Sequence, residues 1–224
     1  MKSQLYDSIR STSAYDDLLK ALYMKAKPRV EEIEIPPVKV IAVQGNQPPA
    51  SRQYQDAIAV LYGVGYGLKM GFKFNKLERP KGYFDYRVGA LESLWWSTSN
   101  ALDMKNPSTL RWQAYLMAPS FISEPLFEEA RKQATTKRPE LPYDAASWET
   151  VFEGRSVQIL HVGPYHEEDR TLEQLHRYID EHGLHIRGRH HEIYLSDPRR
   201  TKPEKLKTVI RYAVEERVSG RRSA

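Results

Sequence analysis

The chain has 224 residues with no cysteine, and a formal charge of +5 set against 28% charged side chains, 14 Tyr and 4 Trp. That length holds one sizeable domain or two small ones, and the aromatic content rules out a chain disordered by composition. The lack of cysteine excludes disulfide frameworks, thiolate metal sites and cysteine nucleophiles.

The charge is uneven. From Arg187 onward there are 11 Lys and Arg against 5 Asp and Glu, so the rest of the chain is close to neutral. The basic end, ERVSGRRSA, reads as a solvated tail, and no helix-turn-helix, zinc-finger or RNP-like pattern accompanies it. Direct nucleic-acid binding is therefore not expected. The start, MKSQLYDSIR, lacks the apolar run of a signal peptide, and no stretch approaches the roughly 18 apolar residues of a membrane span. A soluble, cytoplasmic protein is the expectation.

In chain order, Ser13 can cap a helix from Ala14 to about Lys25, with Tyr15, Leu18, Leu19 and Leu22 on one face. Pro28 ends it. An acidic link with Glu31, Glu32 and Glu34 leads through Pro36-Pro37 into a strand, Val38 to Val43, and Gly45 to Pro49 forms a loop. Tyr54, Ile58, Leu61, Gly65 and Leu68 mark one face of a helix from Ser51 to about Lys69. Gly63, Gly65 and Gly67 each cost this helix about 1 kcal/mol relative to alanine, which points to close approach by a strand or a ligand. Tyr62 and Tyr66, one turn apart, either project phenols over an open patch or serve as amphipathic core tyrosines.

Tyr83 to about Trp96 reads as a long strand, weak at Gly89, and Thr109 to Ala118 as its partner across a polar loop containing Asn106-Pro107. Alternation puts Glu92, Leu94 and Trp96 on one face, and sets Trp112, Ala114 and Leu116 opposite Arg111, Gln113 and Tyr115. A helix follows from Ser123-Pro125 to about Gln133, then a linker to Ser147. Ser156 to Val162 is a strand, Asp169 to His182 a helix stopped by Gly183, and Arg187 to Leu195 and Leu206 to Val214 are strands.

Both halves thus read strand, helix, strand, strand. Overlaying ALESLWW on HHEIYLS makes Glu92 and Glu192 coincide. The order suits an α+β fold, an antiparallel sheet with helices on one side and a ligand on the other. In HHEIYLSDPRR, Glu192 shares a face with His190 and Tyr194. Desolvating an unpaired carboxylate is costly, so Glu192 is either exposed, paired, or held in a pocket for a cation or a proton. All seven histidines lie between His161 and His191. No HExxH occurs, and His190 and His191 point to opposite strand faces, so neither a metal nor another cofactor is expected. His161 and Tyr165 in the HVGPY turn read as structural.

PPVKVIAVQG, YQDAIAVLYGVGYGLK, ALESLWW and RWQAYLMAPSFIS, and above all VQILHVGPYHEE and GRHHEIYLSDPRR with LKTVIRYAV, resemble the GyrI-like small-molecule-binding family, in its long stand-alone branch. One departure is Ser93, in a strand motif that looks like EGLWW elsewhere in the branch. The resemblance implies tandem pseudo-twofold β-α-β-β modules (SHS2-type), about 38–118 and 155–214, joined by 119–154 into a single domain over 36–214. An N-terminal helix and link over 1–35 would precede it and a basic tail over 215–224 would follow. Strands would enclose a central ligand cavity.

Relatives include effector domains of multidrug-responsive regulators, in which a strand glutamate among aromatics holds lipophilic cations; Glu192 matches it. In the stand-alone branch the resemblance further implies hydrolytic opening of cyclopropane-bearing DNA-alkylating natural products by a glutamate and a tyrosine, here Glu192 and Tyr66. As a binder, the chain would use Trp96, Trp112, Tyr62 and Tyr115 as flat walls and Glu192 with Glu92 as counter-charge, taking lipophilic aromatic or cationic molecules in drug or toxin resistance. As a hydrolase, it would use Glu192 as general base, its pKa raised by the apolar pocket. A protein-interaction role, such as a gyrase-protecting factor, is the third reading.

Overall fold

The computed structural model describes residues 4–98 and 106–217. The polar loop ahead of Asn106 and the basic tail beyond residue 217 lie outside the described residues. Two short helices, α1 (Gln4–Asp7) and α2 (Thr12–Leu19), lead into a π-helical turn over Lys20–Met24. Ser11, not Ser13, caps α2: its backbone is extended and its hydroxyl accepts the Ala14 N–H at 3.2 Å. The acidic link forms β1 (Glu31–Ile35), and β2 spans Val38–Gly45. Helix α3 (Arg52–Lys73) starts at Ser51, whose hydroxyl accepts from the Tyr54 N–H at 3.3 Å. Gly63 and Gly65 of α3 serve packing by the protein itself, since a side chain at Gly65 would press on Leu116 and one at Gly63 on the Tyr143 phenol.

The strand expected from Tyr83 begins only at Leu91, as β3 (Leu91–Ser97). Ahead of it, Phe84 and Tyr86 pack edge-on against Phe121, so side-chain packing replaces the ladder. Next come β4 (Leu110–Met117), α4 (Glu124–Lys137), β5 (Ala146–Val151), β6 (Gly154–Val162), α5 (Asp169–Glu181), β7 (Leu184–Ile186), β8 (His190–Tyr194) and β9 (Lys207–Glu216). Among the described residues no helix is long and apolar enough to cross a membrane.

The strands form one antiparallel sheet in the order β1-β6-β9-β8-β3-β4-β2-β5, with β7 added on β9. Each module is β-α-β-β (β2-α3-β3-β4 and β6-α5-β8-β9), and in each the first strand pairs with the third and the third with the second. The modules join where β3 and β8 run antiparallel, Ser93 facing Glu192 and Leu94 facing His191. Facing residues share a side of the sheet, so Glu92, which faces Ile193, lies on the side opposite Glu192. The overlay of Glu92 on Glu192 is therefore out of step by one residue.

Helices α3 and α5 cover the side that carries Ser93, Trp95, Trp112, His190 and Glu192. Tyr54 of α3 bonds Ser93, and Leu175 and Ile179 of α5 pack on Val157, Ile159 and Ile210. The other side carries Glu92, Leu94, Tyr115 and His191. The N-terminal segment covers it, with the Tyr6 hydroxyl donating to the Ala118 carbonyl and Tyr15 and Tyr23 buried in the same core.

Under that segment lies a sealed polar network. The imidazole of His191 sits 3.1 Å from Glu92 and 3.0 Å from both Glu153 and the Tyr115 hydroxyl. Arg211 reaches Glu153 at 3.2 Å, donates to Gln158 and donates to the Leu22 carbonyl at 2.6 Å, tying the N-terminal segment to the sheet. Burial alone would raise the Glu153 carboxyl, but His191 and Arg211 outweigh it and hold it down at about 2. Burial alone would lower His191, but Glu153 and Glu92 outweigh it and raise it.

The contribution of Glu153 is thus present above the ordinary carboxyl range and lost as pH falls through about 2. That of His191 is present below the ordinary histidine value and lost as pH rises through its raised one. Glu153→Gln should leave two buried cationic side chains under-compensated and lower stability in urea unfolding at pH 6 by about 3–5 kcal/mol. A loss below about 1 kcal/mol would remove the network from the fold's stability.

Candidate functional site

On the helix-covered side, alternation along β8 brings His190, Glu192 and Tyr194 together. Glu192 Oε1 lies 3.0 Å from His190 Nε2, and Oε2 accepts the Tyr194 hydroxyl at 2.6 Å. Tyr194 accepts in turn from the Trp95 indole at 3.2 Å and from the Tyr54 hydroxyl at 3.5 Å, while Tyr54 and Ser93 share a hydrogen bond of 2.8 Å. The far nitrogen of His190 is 2.8 Å from the Tyr212 hydroxyl. Tyr165, 40% exposed, stands edge-on to Tyr194 at the rim. The Glu192 side chain retains 15% exposure.

Glu168, the residue before α5, completes the cluster. It is 7% exposed, its Oε1 has no hydrogen-bond partner, and its side chain does not cap the helix it precedes. Glu168, His190 and Glu192 each offer one atom within 4.8 Å of the others. Such a trio could hold a divalent ion only by drawing together to roughly 3.5 Å, the ligand spacing of a tetrahedral site. His190 Nε2 and both Glu192 oxygens are already hydrogen-bonded, so the arrangement is better described as a proton-sharing cluster.

The two carboxyls are driven apart. Burial by itself would raise Glu192, but hydrogen bonds from His190 and Tyr194 outweigh it and lower its pKa, the reverse of the sequence expectation of a raised value. Glu168 has no such donors, and burial, then the charge of Glu192, raises it to about 9. Burial also raises Tyr54 and Tyr165 to about 12, so their phenols stay protonated donors at neutral pH.

The other sequence candidates fall elsewhere. Glu92 and Tyr115 lie in the sealed network on the opposite side. Trp96 is on that side too, its ring 3.5 Å beneath the Arg189 guanidinium. Trp112 shares the side of Glu192 but is wholly buried, edge-on to Tyr54 at 5.0 Å, with its indole N–H donating to the Gln47 carbonyl. Tyr62 and Tyr66 stack on one another along α3, and both line a groove of about 260 Å³ with Met70, Phe74 and Lys137. Tyr66 lies about 18 Å along the helix from Tyr54, the α3 tyrosine that the structure brings to the Glu192 cluster.

Three site residues had weaker sequence signals. Tyr54 was the first member of the α3 stripe, and Tyr165 and Glu168 stood in HVGPYHEE. His161 of that motif is structural, held between Thr171 at 2.9 Å and the Pro164 carbonyl at 3.3 Å. Ser93, the departure from EGLWW, directly faces Glu192.

Paired β-α-β-β modules thus meet over an acidic cluster flanked by tyrosines. The chain belongs to the GyrI-like small-molecule-binding domain family, whose model matches residues 145–215. It is 34% identical to an uncharacterized conserved protein from Listeria innocua, over 88% of this chain and 98% of that one, with a TM-score of 0.81. It is 32% identical to a hydrolase from Listeria innocua, over 90% and 98% of the two chains, with a TM-score of 0.79. The EcmrR C-terminal domain shares the fold at 12% identity, over 84% and 98%, with a TM-score of 0.52. No curated protein matches the chain.

A buried carboxyl with a raised pKa makes folding weaker as pH rises between the unfolded and folded values, because the folded state alone keeps the proton. For Glu168 that window runs from the ordinary carboxyl range up to about 9. Glu168→Gln should therefore melt several degrees higher than the unsubstituted protein at pH 8 and at the same temperature near pH 4, read by calorimetry. Equal melting temperatures at both pH values would mean that Glu168 is ionised in the folded protein.

Proposed function

We propose that the chain binds flat, apolar small molecules against Tyr54, Tyr165 and Tyr194 and hydrolyses strained electrophiles among them, with cyclopropane-bearing alkylators as the substrate class. The observation that carries this reading is the ionised Glu192, fixed by His190 and Tyr194 beside protonated phenols. The 32% identity to a hydrolase, spanning nearly all of both chains, supports it.

In this reading Glu192 takes the proton of a water that attacks the ring carbon. The ring C–C bond opens toward the conjugated carbonyl, and the phenol of Tyr165 donates a hydrogen bond to the oxygen that gathers charge. A base whose pKa lies below its ordinary value is weak but fully ionised at neutral pH, and ring strain supplies part of the driving force. General base catalysis then contributes about 10² to 10⁴ in rate.

A second reading, retention of lipophilic cations without turnover, draws on the same negative charge among aromatic rings. A cation over such rings gains about 0.5–2 kcal/mol.

A mass-spectrometric time course with a cyclopropane-bearing alkylator, run beside a titration with a planar cationic dye, separates the two. Turnover to a product one water heavier, reduced about 10²-fold or more in a folded Glu192→Gln variant, is the expected result. An undiminished rate in that variant would exclude Glu192 as base, and dye binding with no product would leave a receptor. Tyr66→Phe is the counter-test: a loss as large as that of Glu192→Gln would put the Tyr66 phenol in the chemistry.

A further inference from the structure

We infer that Glu168 is a second catalytic residue of this cluster, the carboxylic acid that delivers a proton to the oxygen on which charge collects as the substrate opens. The inference deepens the hydrolytic reading and rests on it. A carboxylate at the start of a helix is stabilised when it accepts from the free backbone N–H groups there. Glu168 makes no such bond, and one of its oxygens is buried without any partner. Desolvating a carboxyl oxygen without a hydrogen bond is costly, and leaving it ionised beside another carboxylate costs more. The arrangement is tolerable when Glu168 carries a proton and has something to give it to.

The groups that face it agree. Glu192 and His190 approach from β8, with atoms within 4.8 Å. Tyr212 of β9 and Tyr165 of the preceding turn also lie in its electrostatic reach, and Asp169 adds a further negative charge from its own helix. Neither a lysine nor an arginine is among these partners, and the one histidine, His190, is hydrogen-bonded to Glu192 rather than to Glu168. The rise of its pKa to about 9 has the same origin.

The proton account closes within the cluster. Water attacks the ring carbon, its proton passes to Glu192, the ring C–C bond breaks, and the electron pair moves to the carbonyl oxygen. Glu168 protonates that oxygen as its O–H bond breaks, leaving Glu192 protonated and Glu168 ionised. Transfer of one proton from Glu192 back to Glu168 restores the starting state, and the net change is addition of one water to the substrate.

The test is the pH dependence of turnover for the unsubstituted protein and Glu168→Gln, with the alkylator as substrate. The active form needs Glu168 protonated, so kcat should fall as pH rises through about 9. In Glu168→Gln, kcat should drop about 10²-fold or more and that alkaline limb should vanish, while Glu168→Asp recovers part of the rate. A merely structural role would leave the limb in place.

Infrared difference spectra of the two proteins at pH 7.5 check the protonated carboxyl directly, without turnover. Turnover in the unsubstituted protein with the limb unchanged in Glu168→Gln would overturn the acid role alone. Absence of turnover in the unsubstituted protein would take the hydrolytic reading down with it. Activity that chelator abolishes and zinc restores would also overturn the acid role, by making the trio a metal site.

Discussion

One strand separates two unlike chemistries in this protein, and the antiparallel contact between β3 and β8 fixes which residue faces which. His191 and Glu192 are neighbours in sequence, yet the pleat sends one into a closed ionic network and the other toward the phenol of Tyr194 on the helix-covered side. A slip of one residue in that contact would exchange them, placing the sealed cation among the site tyrosines and the site carboxylate under the N-terminal segment. The network on the closed side therefore does more than stabilise. Arg211 grips Glu153, Gln158 and the Leu22 carbonyl at once, a set of partners that only the native register supplies.

The two sides balance charge differently. In the closed network two carboxyl groups face a histidine and an arginine, and every member has a partner. Around β8 on the helix-covered side two carboxyl groups have one histidine near them, and burial with the charge of Glu192 raises Glu168. Burying Glu168 without a partner costs stability locally, while the closed side keeps the register firm.

Much of this was legible in the sequence. Alternation in HHEIYLS put His190, Glu192 and Tyr194 on one face, and the repeated strand-helix-strand-strand order gave the two modules. The overlay of ALESLWW on HHEIYLS failed because both strings contain one glutamate, and matching letters ignores pleat parity. Glu92 and Tyr115 then read as pocket residues although a histidine from the neighbouring strand seals them away. Strands β1 and β5 were hidden for a physical reason: they are the sheet's edges, and their charged residues, such as Glu32 and Glu149, resemble loop composition. Tyr66 drew notice because glycines flank it, but Gly63 and Gly65 make room for Tyr143 and Leu116, and the helix turns its other end, at Tyr54, to the site.

The chain order of the sheet also bears on how the protein is made. The central neighbours of β3 are β4, which follows at once, and β8, which is complete only at Tyr194, 97 residues after Ser97. At about 5–20 residues per second, a nascent chain holds the inner edge of β3 open for roughly 5–20 s. That edge carries LESLWWS, an apolar and aromatic segment with unpaired backbone groups, the kind of template on which chains adhere to one another. On the ribosome, then, the seam that later sets the register of the finished protein is its most vulnerable line, and the first module waits for the second before it is safe.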